Sequence, residues 1–509
     1  LTASTDQLQG AGLPDADLPG SGLPEPALPE PALPSGVRAT LRHYQEQGFR
    51  WLAFLYAHRL GGILADDMGL GKTLQALTLI AHAVETGDVT GAPPAQRRPF
   101  LVVAPTSVVS NWVSEAARFT PGLRVRAITA ATTRTGGDVR EVAAGCDLVV
   151  TSYALFRLHF ARYQEQPWAG LILDEAQFLK NRGSKVHECA RDLNAPFKLA
   201  ITGTPMENTL MDLWAILRIV APGLFPSARR FTEEYLRPLE RGQQPELLAR
   251  LRRRMRPLML RRSKEVVAAE LPPKQEQVLR VELAPAHRRL YDTFLQRERQ
   301  KLLGLMEDLD TNRFIIFRSL TLLRLLSLDA SLVDDRYAGL PSSKLDVLLA
   351  QLDDVVAEGH RSLIFSQFTS YLALVAARLR ARGIAYCYLD GSTTDRAAVI
   401  ASFKNGAAPV FLISLKAGGF GLNLTEADYV FLLDPWWNPA AEAQAVDRTH
   451  RIGQTRTVMV YRMVAAGTIE EKVMALKEQK ARLFLDVMNE EAAFSSALSI
   501  DDLRGLLEP

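Results

Sequence analysis

ILADDMGLGKT (residues 63–73) decides the reading of this chain: a short apolar run breaks into acids and glycines, then opens a helical pattern, KTLQALTLIAHAV. A strand that turns through glycines into a helix N-terminus is the setting of a phosphate-binding loop, because small residues let backbone N–H groups converge on an anion. In that reading Gly69 and Gly71 allow the close approach, Lys72 supplies a point charge and Thr73 offers a hydroxyl to Mg2+. Asp66, Asp67, Met68 and Leu70 complete the loop. The strict G-x-x-x-x-G-K-[ST] pattern fails at its first position, where Asp66 stands for glycine. A turn that binds no nucleotide is therefore the alternative for this segment alone.

Outward from the loop, short apolar runs alternate with helical patterns. The first half contains GGILAD, FLVVAP, DLVVTSY, GLILDEA and KLAITGTP; the second contains RSLIFSQF, AYCYLDGS, PVFLIS, YVFLLDP and TVMVYRMV. Continuous apolar runs ending in small or polar residues read as buried parallel strands whose C-terminal ends build a site. The expected fold class is α/β, with two parallel-sheet lobes and a helical insertion in each. Residues 1–37 read as a Pro-rich acidic linker, 38–270 as the first lobe with an insertion at about 206–265, and 271–470 as the second with an insertion at about 285–335. LPPK (271–274) reads as the hinge, and 471–509 as a C-terminal helical brace.

Length and composition agree. A chain of 509 residues exceeds one ordinary core, and 47% hydrophobic residues suits a globular protein. No apolar run reaches the roughly 20 residues that span a bilayer, so no membrane partner is expected. The chain begins at Leu1, not Met, and reads as a piece of something longer. Cys146, Cys189 and Cys387 stand alone, which suits a reducing cytoplasm rather than a disulfide framework or a zinc site. Residues 1–36 hold seven prolines and five acids with no base, leaving 60 bases against the other 52 acids, a net +8. That excess suits a polyanion, but a solvated surface can also carry it.

LILDEAQFLKN (171–181) ends an apolar run in two adjacent carboxylates. Asp174 can hold a hydrated magnesium and Glu175 can polarise an attacking water; an acid-rich helix start is the alternative. AITGTPMEN (200–208) ends another run in Thr202 and Thr204, placed to relay the state of a γ-phosphate, although Gly203 and Pro205 would also serve a plain turn.

Together these segments resemble a Swi/Snf-type member of helicase superfamily two, the group that includes chromatin remodellers and their bacterial and archaeal relatives, and the chain reads as a prokaryotic member. The resemblance runs from about Leu41 to Val473. LRHYQEQGFRWL (41–52) resembles the family's adenine-recognising segment, which implies that Gln45 reads the base. VVAPTSVVSNW (102–112) resembles its early nucleic-acid-contacting motif, and DDMGLGKT, DEAQ and TGTP resemble its ATPase motifs. LIFSQF (363–368), YLDGST (388–393), ISLKAGGFGLNL (413–424) and DPWWNPAAEAQAVDRTHRIGQ (434–454) are similar to its later ones.

The resemblance implies two RecA-like lobes with ATP and Mg2+ in the cleft between them. It further implies that Arg448 and Arg451 reach the γ-phosphate and that Gly421 and Gln177 belong to the nucleotide site. Asp67 replaces the family's usual Glu, DEAQ replaces the commoner DEAH, and LRLLSLDASLVD (323–334) follows the family's Cys/His/Pro-rich segment only loosely.

A motor must tolerate every sequence, so contacts to nucleic-acid backbone are expected. Candidates are Ser107, Asn111, Lys416, Arg261, Arg262 and Lys264, with a solvated helix face as the alternative for the arginines of 250–264. Trp436 and Trp437 read as packing rather than base-stacking residues. The resemblance implies double-stranded DNA as the substrate, with translocation and little or no strand separation. The expected activity is therefore a DNA-dependent ATPase: a monomeric, cytoplasmic, nucleoid-associated translocase that remodels or displaces DNA-bound proteins. A strand-separating DNA or RNA helicase is the alternative enzyme, and a DNA-binding scaffold with a decayed ATPase the non-enzymatic one.

Overall fold

The computed structural model describes residues 31–87, 98–129, 138–206, 209–240, 245–267, 271–303, 309–415, 423–436 and 439–475. Most of the expected linker, the expected helical brace beyond 475, and Lys416, Gly418, Gly419, Gly421 and Trp437 lie outside the described residues. The described chain forms two compact units, 31–267 and 271–475. Among the described residues no helix is long and apolar enough to cross a membrane.

The first unit is built on seven parallel strands: β1 Gly62–Leu64, β2 Phe100–Ala104, β3 Val125–Ile128, β4 Leu148–Ser152, β5 Gly170–Asp174, β6 Lys198–Ile201 and β7 Met259–Leu260. Their order is β3-β4-β2-β5-β6-β1-β7. Strands β1, β2, β4 and β5 are buried along their whole length, as their unbroken apolar runs require. The order brings the ends of β2, β5, β6 and β1 side by side, so the loops after them share one edge of the sheet. The helices that matter to that edge are α1 His43–Ala57, α2 Lys72–Glu85, α3 Thr106–Phe119, α4 Leu210–Val220 and α5 Pro245–Met255.

The second unit has β8 Lys274–Val281, β9 Ser362–Ser366, β10 Tyr386–Leu389, β11 Val410–Ser414, β12 Tyr429–Leu432 and β13 Val458–Ala465, in the order β10-β11-β9-β12-β13-β8, again all parallel. Its helices include α6 Pro285–Leu303, α7 Leu309–Leu328, α8 Ser343–Ala357, α9 Thr369–Ala381 and α10 Pro439–Val446. Leu345, Leu348, Leu349 and Leu352 recur at helical spacing on α8 and pack with Leu372, Val375 and Leu379 of α9 against Ile364 and Leu412. A separate apolar cluster joins Tyr291, Leu320 and Leu323 of α6 and α7 to Ile469 and Val473.

Three strands lie where the sequence pattern does not predict them. β3 and β8 are edge strands, and β8, Lys274–Val281, has only Val281 buried, so neither carries an apolar run. β7 corrects the expectation that 206–265 is helical throughout. Pro257 has no N–H to continue the helical ladder, so α5 ends at Met255, a short 3-10 turn (Arg256–Leu258) follows, and the chain emerges extended at Met259. Met259 and Leu260 then pair with Ile63 and Leu64 and close the sheet beside the phosphate loop.

Candidate active site

The loop after β1 meets the start of α2 through Gly69 (φ 85°) and Gly71 (φ 76°), left-handed conformations that favour glycine. At Gly71 a Cβ would stand 2.5 Å from Gln45 Nε2, so glycine also permits the approach of α1. Gln45 is buried: its amide nitrogen donates to Leu70 O at 3.2 Å, and its oxygen accepts from Arg42 N at 2.9 Å. The Tyr44 hydroxyl donates to the same Leu70 carbonyl. Lys72 Nζ donates to Asp66 O at 2.6 Å and Asp67 O at 3.0 Å. Burial pulls the Lys72 pKa down, opposed by Asp66, Glu175, Asp174 and Asp67.

The departure at Asp66 has a structural explanation. This side chain is 0% exposed and is gripped by both arms of Arg262, Nε to Oδ1 at 2.9 Å and Nη2 to Oδ2 at 2.5 Å. Such a bidentate fork fixes orientation as well as charge. Arg262 also donates to Gln75 Oε1 (2.9 Å) and to the Tyr44 carbonyl, tying the loop to α1 and α2 together. Gly48 leaves room for this, because a Cβ there would lie 1.8 Å from Gln75 Oε1 and 2.7 Å from Arg262 Nη2. Lys264 is buried, and its backbone N–H donates to Asp67 Oδ2. Arg262 and Lys264, expected on a nucleic-acid track, are thus placed against the phosphate loop, and Arg261 beside them is half-buried.

Asp174 ends β5, with Oδ1 accepting from Glu175 N (2.9 Å) and Oδ2 from Trp112 Nε1 (2.7 Å). Burial pushes its carboxyl up; the Trp112 and Glu175 donors and Lys72 oppose that shift. Glu175 adopts φ 50°, ψ 54°, a left-handed backbone uncommon for a residue with a Cβ. Gln177 Nε2 donates to Glu175 Oε2 at 2.8 Å, Thr202 Oγ1 donates to Gln177 Oε1 at 2.7 Å, and Thr204 N donates to Thr202 Oγ1 at 3.0 Å. One chain of hydrogen bonds therefore joins DEAQ to TGTP, while Thr204 Oγ1 is buried with no partner among the described residues. Gly203 packs under the phosphate loop, where a Cβ would meet Met68 Cγ at 2.8 Å.

The donor set fits magnesium. Among the described residues no group of three His, Cys, Asp or Glu converges as a protein-only metal cage. One buried carboxylate near the Lys72–Thr73 helix start matches an ion that keeps waters and takes its other ligands from phosphates.

Ser107, half-buried in the first turn of α3, and Asn111 sit four residues apart on this helix, and Asn111 Nδ2 donates to Glu115 Oε1 at 2.9 Å. In the second unit Arg448 is buried and Arg451 half-buried, in the turn after α10. Gln454 pins that turn through Nε2 to the Thr425, Ala427 and Thr449 carbonyls, and the Leu424 N–H donates to Arg448 O. Trp436 is partly buried against the core that includes Leu432 and Ala445, the packing role expected of it. Sequence reasoning passed over Trp112 and Tyr153, whose hydroxyl donates to Asp174 O at 2.8 Å. Their only signal is an aromatic ring in an otherwise apolar stripe.

Fold and site define the class: two RecA-like α/β units, the first carrying a phosphate loop opposite a strand-ending acid pair. Comparison with known proteins narrows this. The SNF2-related domain matches residues 44–329 and the helicase conserved C-terminal domain residues 343–453. The chain belongs to the SNF2-related family. It is 34% identical over 473 residues to an uncharacterized ATP-dependent helicase of Mycoplasma pneumoniae, covering 92% of this chain and 44% of that protein. It is 33% identical over 463 residues to the ISWI chromatin-remodeling complex ATPase ISW1 of Saccharomyces cerevisiae (88% and 40%). It is 34% identical over 469 residues to the putative ATP-dependent helicase/translocase YwqA of Bacillus subtilis (89% and 49%). The chain spans less than half the length of these relatives. The Sulfolobus solfataricus SWI2/SNF2 ATPase core in complex with dsDNA matches 94% of this chain and 98% of its own at 30% identity, with a TM-score of 0.46.

Proposed function

We propose that this chain is an ATP-hydrolysing motor that translocates on double-stranded DNA and remodels or displaces DNA-bound proteins. The observation that carries the reading is the convergence of Lys72, Asp174 and Glu175, mutually close enough to perturb the Lys72 ammonium, at the sheet edge where Gln45 braces the phosphate loop. Gln45 is assigned to the base. Lys72 exchanges its loop carbonyls for phosphate oxygens, and Thr73 and Asp174 are the residues that would hold magnesium. Bound Mg2+ supplies charge neutralisation on the phosphates. Glu175 orients the attacking water and accepts its proton, held by Gln177 in a backbone geometry that aims the carboxylate. Through Thr202 the same hydrogen-bond chain reaches Thr204, the assigned reporter of phosphate state. Arg448 and Arg451 of the second unit are assigned to the charge that spreads over the transferred phosphoryl, a role worth roughly 10³–10⁵ in rate. Membership in a family whose members include chromatin-remodelling ATPases supports duplex DNA as the track.

Phosphate release measured with double-stranded DNA, single-stranded DNA and RNA tests this directly. Lys72→Ala and Glu175→Gln are each expected to abolish DNA-stimulated hydrolysis; near-normal turnover in either sinks the assignment. Triplex displacement without duplex unwinding is expected of a translocase, whereas efficient unwinding identifies a strand-separating helicase instead.

A further inference from the structure

The carboxylate of Asp174 is oriented from two directions. One donor is the N–H of the next residue; the other is the indole of Trp112, 62 positions upstream. Trp112 is 0% exposed and sits on α3 among Val108, Val109 and Ala116, the buried side of a helix whose other positions are half-buried or exposed. An indole has a single donor and no acceptor. Here that donor is given to an anionic oxygen at 2.7 Å, the short, charge-assisted kind of hydrogen bond. Each oxygen of Asp174 thus accepts one donor from the protein and keeps lone pairs for another partner. A carboxylate that turns about its last torsion offers those lone pairs in no fixed direction, and the indole removes that freedom.

Packing alone does not account for Trp112. A phenyl ring would fill an apolar slot beside β5, but only an N–H fixes the acid. Tyr153 provides an internal contrast: its buried hydroxyl also bonds Asp174, yet to the main-chain oxygen, which cannot set the carboxylate plane.

The geometry points to Trp112 as a positioning residue that holds the Asp174 carboxylate in the orientation that meets the hydrated magnesium of bound nucleotide. This rests on the reading of Asp174 as the magnesium-holding acid. Outer partners that orient metal ligands are worth about 10–100-fold in metal affinity or activity. Because Trp112 lies on the same rigid helix as Ser107 and Asn111, it also makes α3 the platform from which the acid is aimed.

The test is binding of the fluorescent nucleotide mant-ADP to the full chain, in EDTA and across a magnesium titration, for the parent and for Trp112→Phe, Tyr153→Phe and Asp174→Asn. The expected result for Trp112→Phe is unchanged affinity in EDTA and about a 10–100-fold rise in the magnesium concentration that gives half the metal-dependent tightening. Tyr153→Phe is expected to keep the parent magnesium response. An unaltered magnesium response in Trp112→Phe, or an equal shift in Tyr153→Phe, overturns the proposal. A magnesium response that survives Asp174→Asn instead removes the reading of Asp174, and so separates the two failures. If Trp112→Phe does not fold, benzothienylalanine at position 112 keeps the indole's shape without its N–H and reads the same titration.

Discussion

The phosphate loop of the first unit and the Asp434–Pro435 segment of the second meet the same demand in different ways. Asp66 follows β1 and Asp434 follows β12, and each acid is buried against an arginine brought by a distant stretch of chain. Asp66 depends mainly on Arg262, whose two arms take both of its oxygens, with Gln75 adding a long contact at 3.4 Å. Asp434 is shared. Ser366 Oγ, Gln367 N and Gln367 Nε2 donate to it, and Arg324 stands 3.9 Å away while bonding Gln367 Oε1 and Pro435 O. Burial pushes the Asp434 carboxyl up and pulls the Arg324 guanidinium down, against their mutual attraction. A fork fixes one geometry and fails as a unit; a network distributes the charge and loses one member at a time.

Breaking the fork should therefore have the largest effect. Arg262→Ala strands a fully buried carboxylate and is expected to destabilise the first unit by about 3–5 kcal/mol in urea unfolding. Adding Asp66→Asn should recover much of that loss, and a double variant as unstable as the single would break the comparison. Arg324→Ala leaves Asp434 its serine and glutamine donors, so about 2–3 kcal/mol is expected in the second unit. A loss equal to that of Arg262→Ala would mean that the network shares nothing. Gly48→Ala perturbs the fork through shape alone, pressing on Gln75 and Arg262, and should cost about 1–2 kcal/mol.

The smallest effect concerns pH. Burial raises the Glu276 pKa, but Arg462 and Lys274 outweigh it and hold the carboxyl at about 2. A depressed folded pKa means that its stabilisation is full above the ordinary carboxylate range and is lost as pH falls toward 2. Glu276→Gln should flatten that acid limb in melting curves of the second unit, and an unchanged limb would remove β8 from the set of electrostatically held elements.

Much of the fold is legible in the sequence because buried parallel strands declare themselves as unbroken apolar runs, as FLVVA and GLILD do. An edge strand that faces water does not: Lys274–Val281 has charged and amide side chains and only Val281 buried, whereas the edge strand β10 keeps enough apolar residues to be read. At the site, the loop and the acid pair can be read because their chemistry is local. Their supports cannot. Arg262 is 196 residues from Asp66 and Trp112 is 62 from Asp174, and the residue types alone suggest other roles, a basic track and a core ring. The left-handed backbone of Glu175 is equally silent, since strain imposed by surroundings leaves no compositional mark.

The pairing of β7 with β1 has a consequence for the order of synthesis. A ribosome adding about 5–20 residues per second makes Asp66 roughly 10–40 seconds before Arg262. During that interval the nascent chain holds an acid whose bidentate partner does not yet exist, and β1 lacks one neighbour. The first unit is thus completed by a late stretch, Met259 to Lys264, and a ribosome that stalls or a message that ends before it leaves a phosphate loop without its clamp.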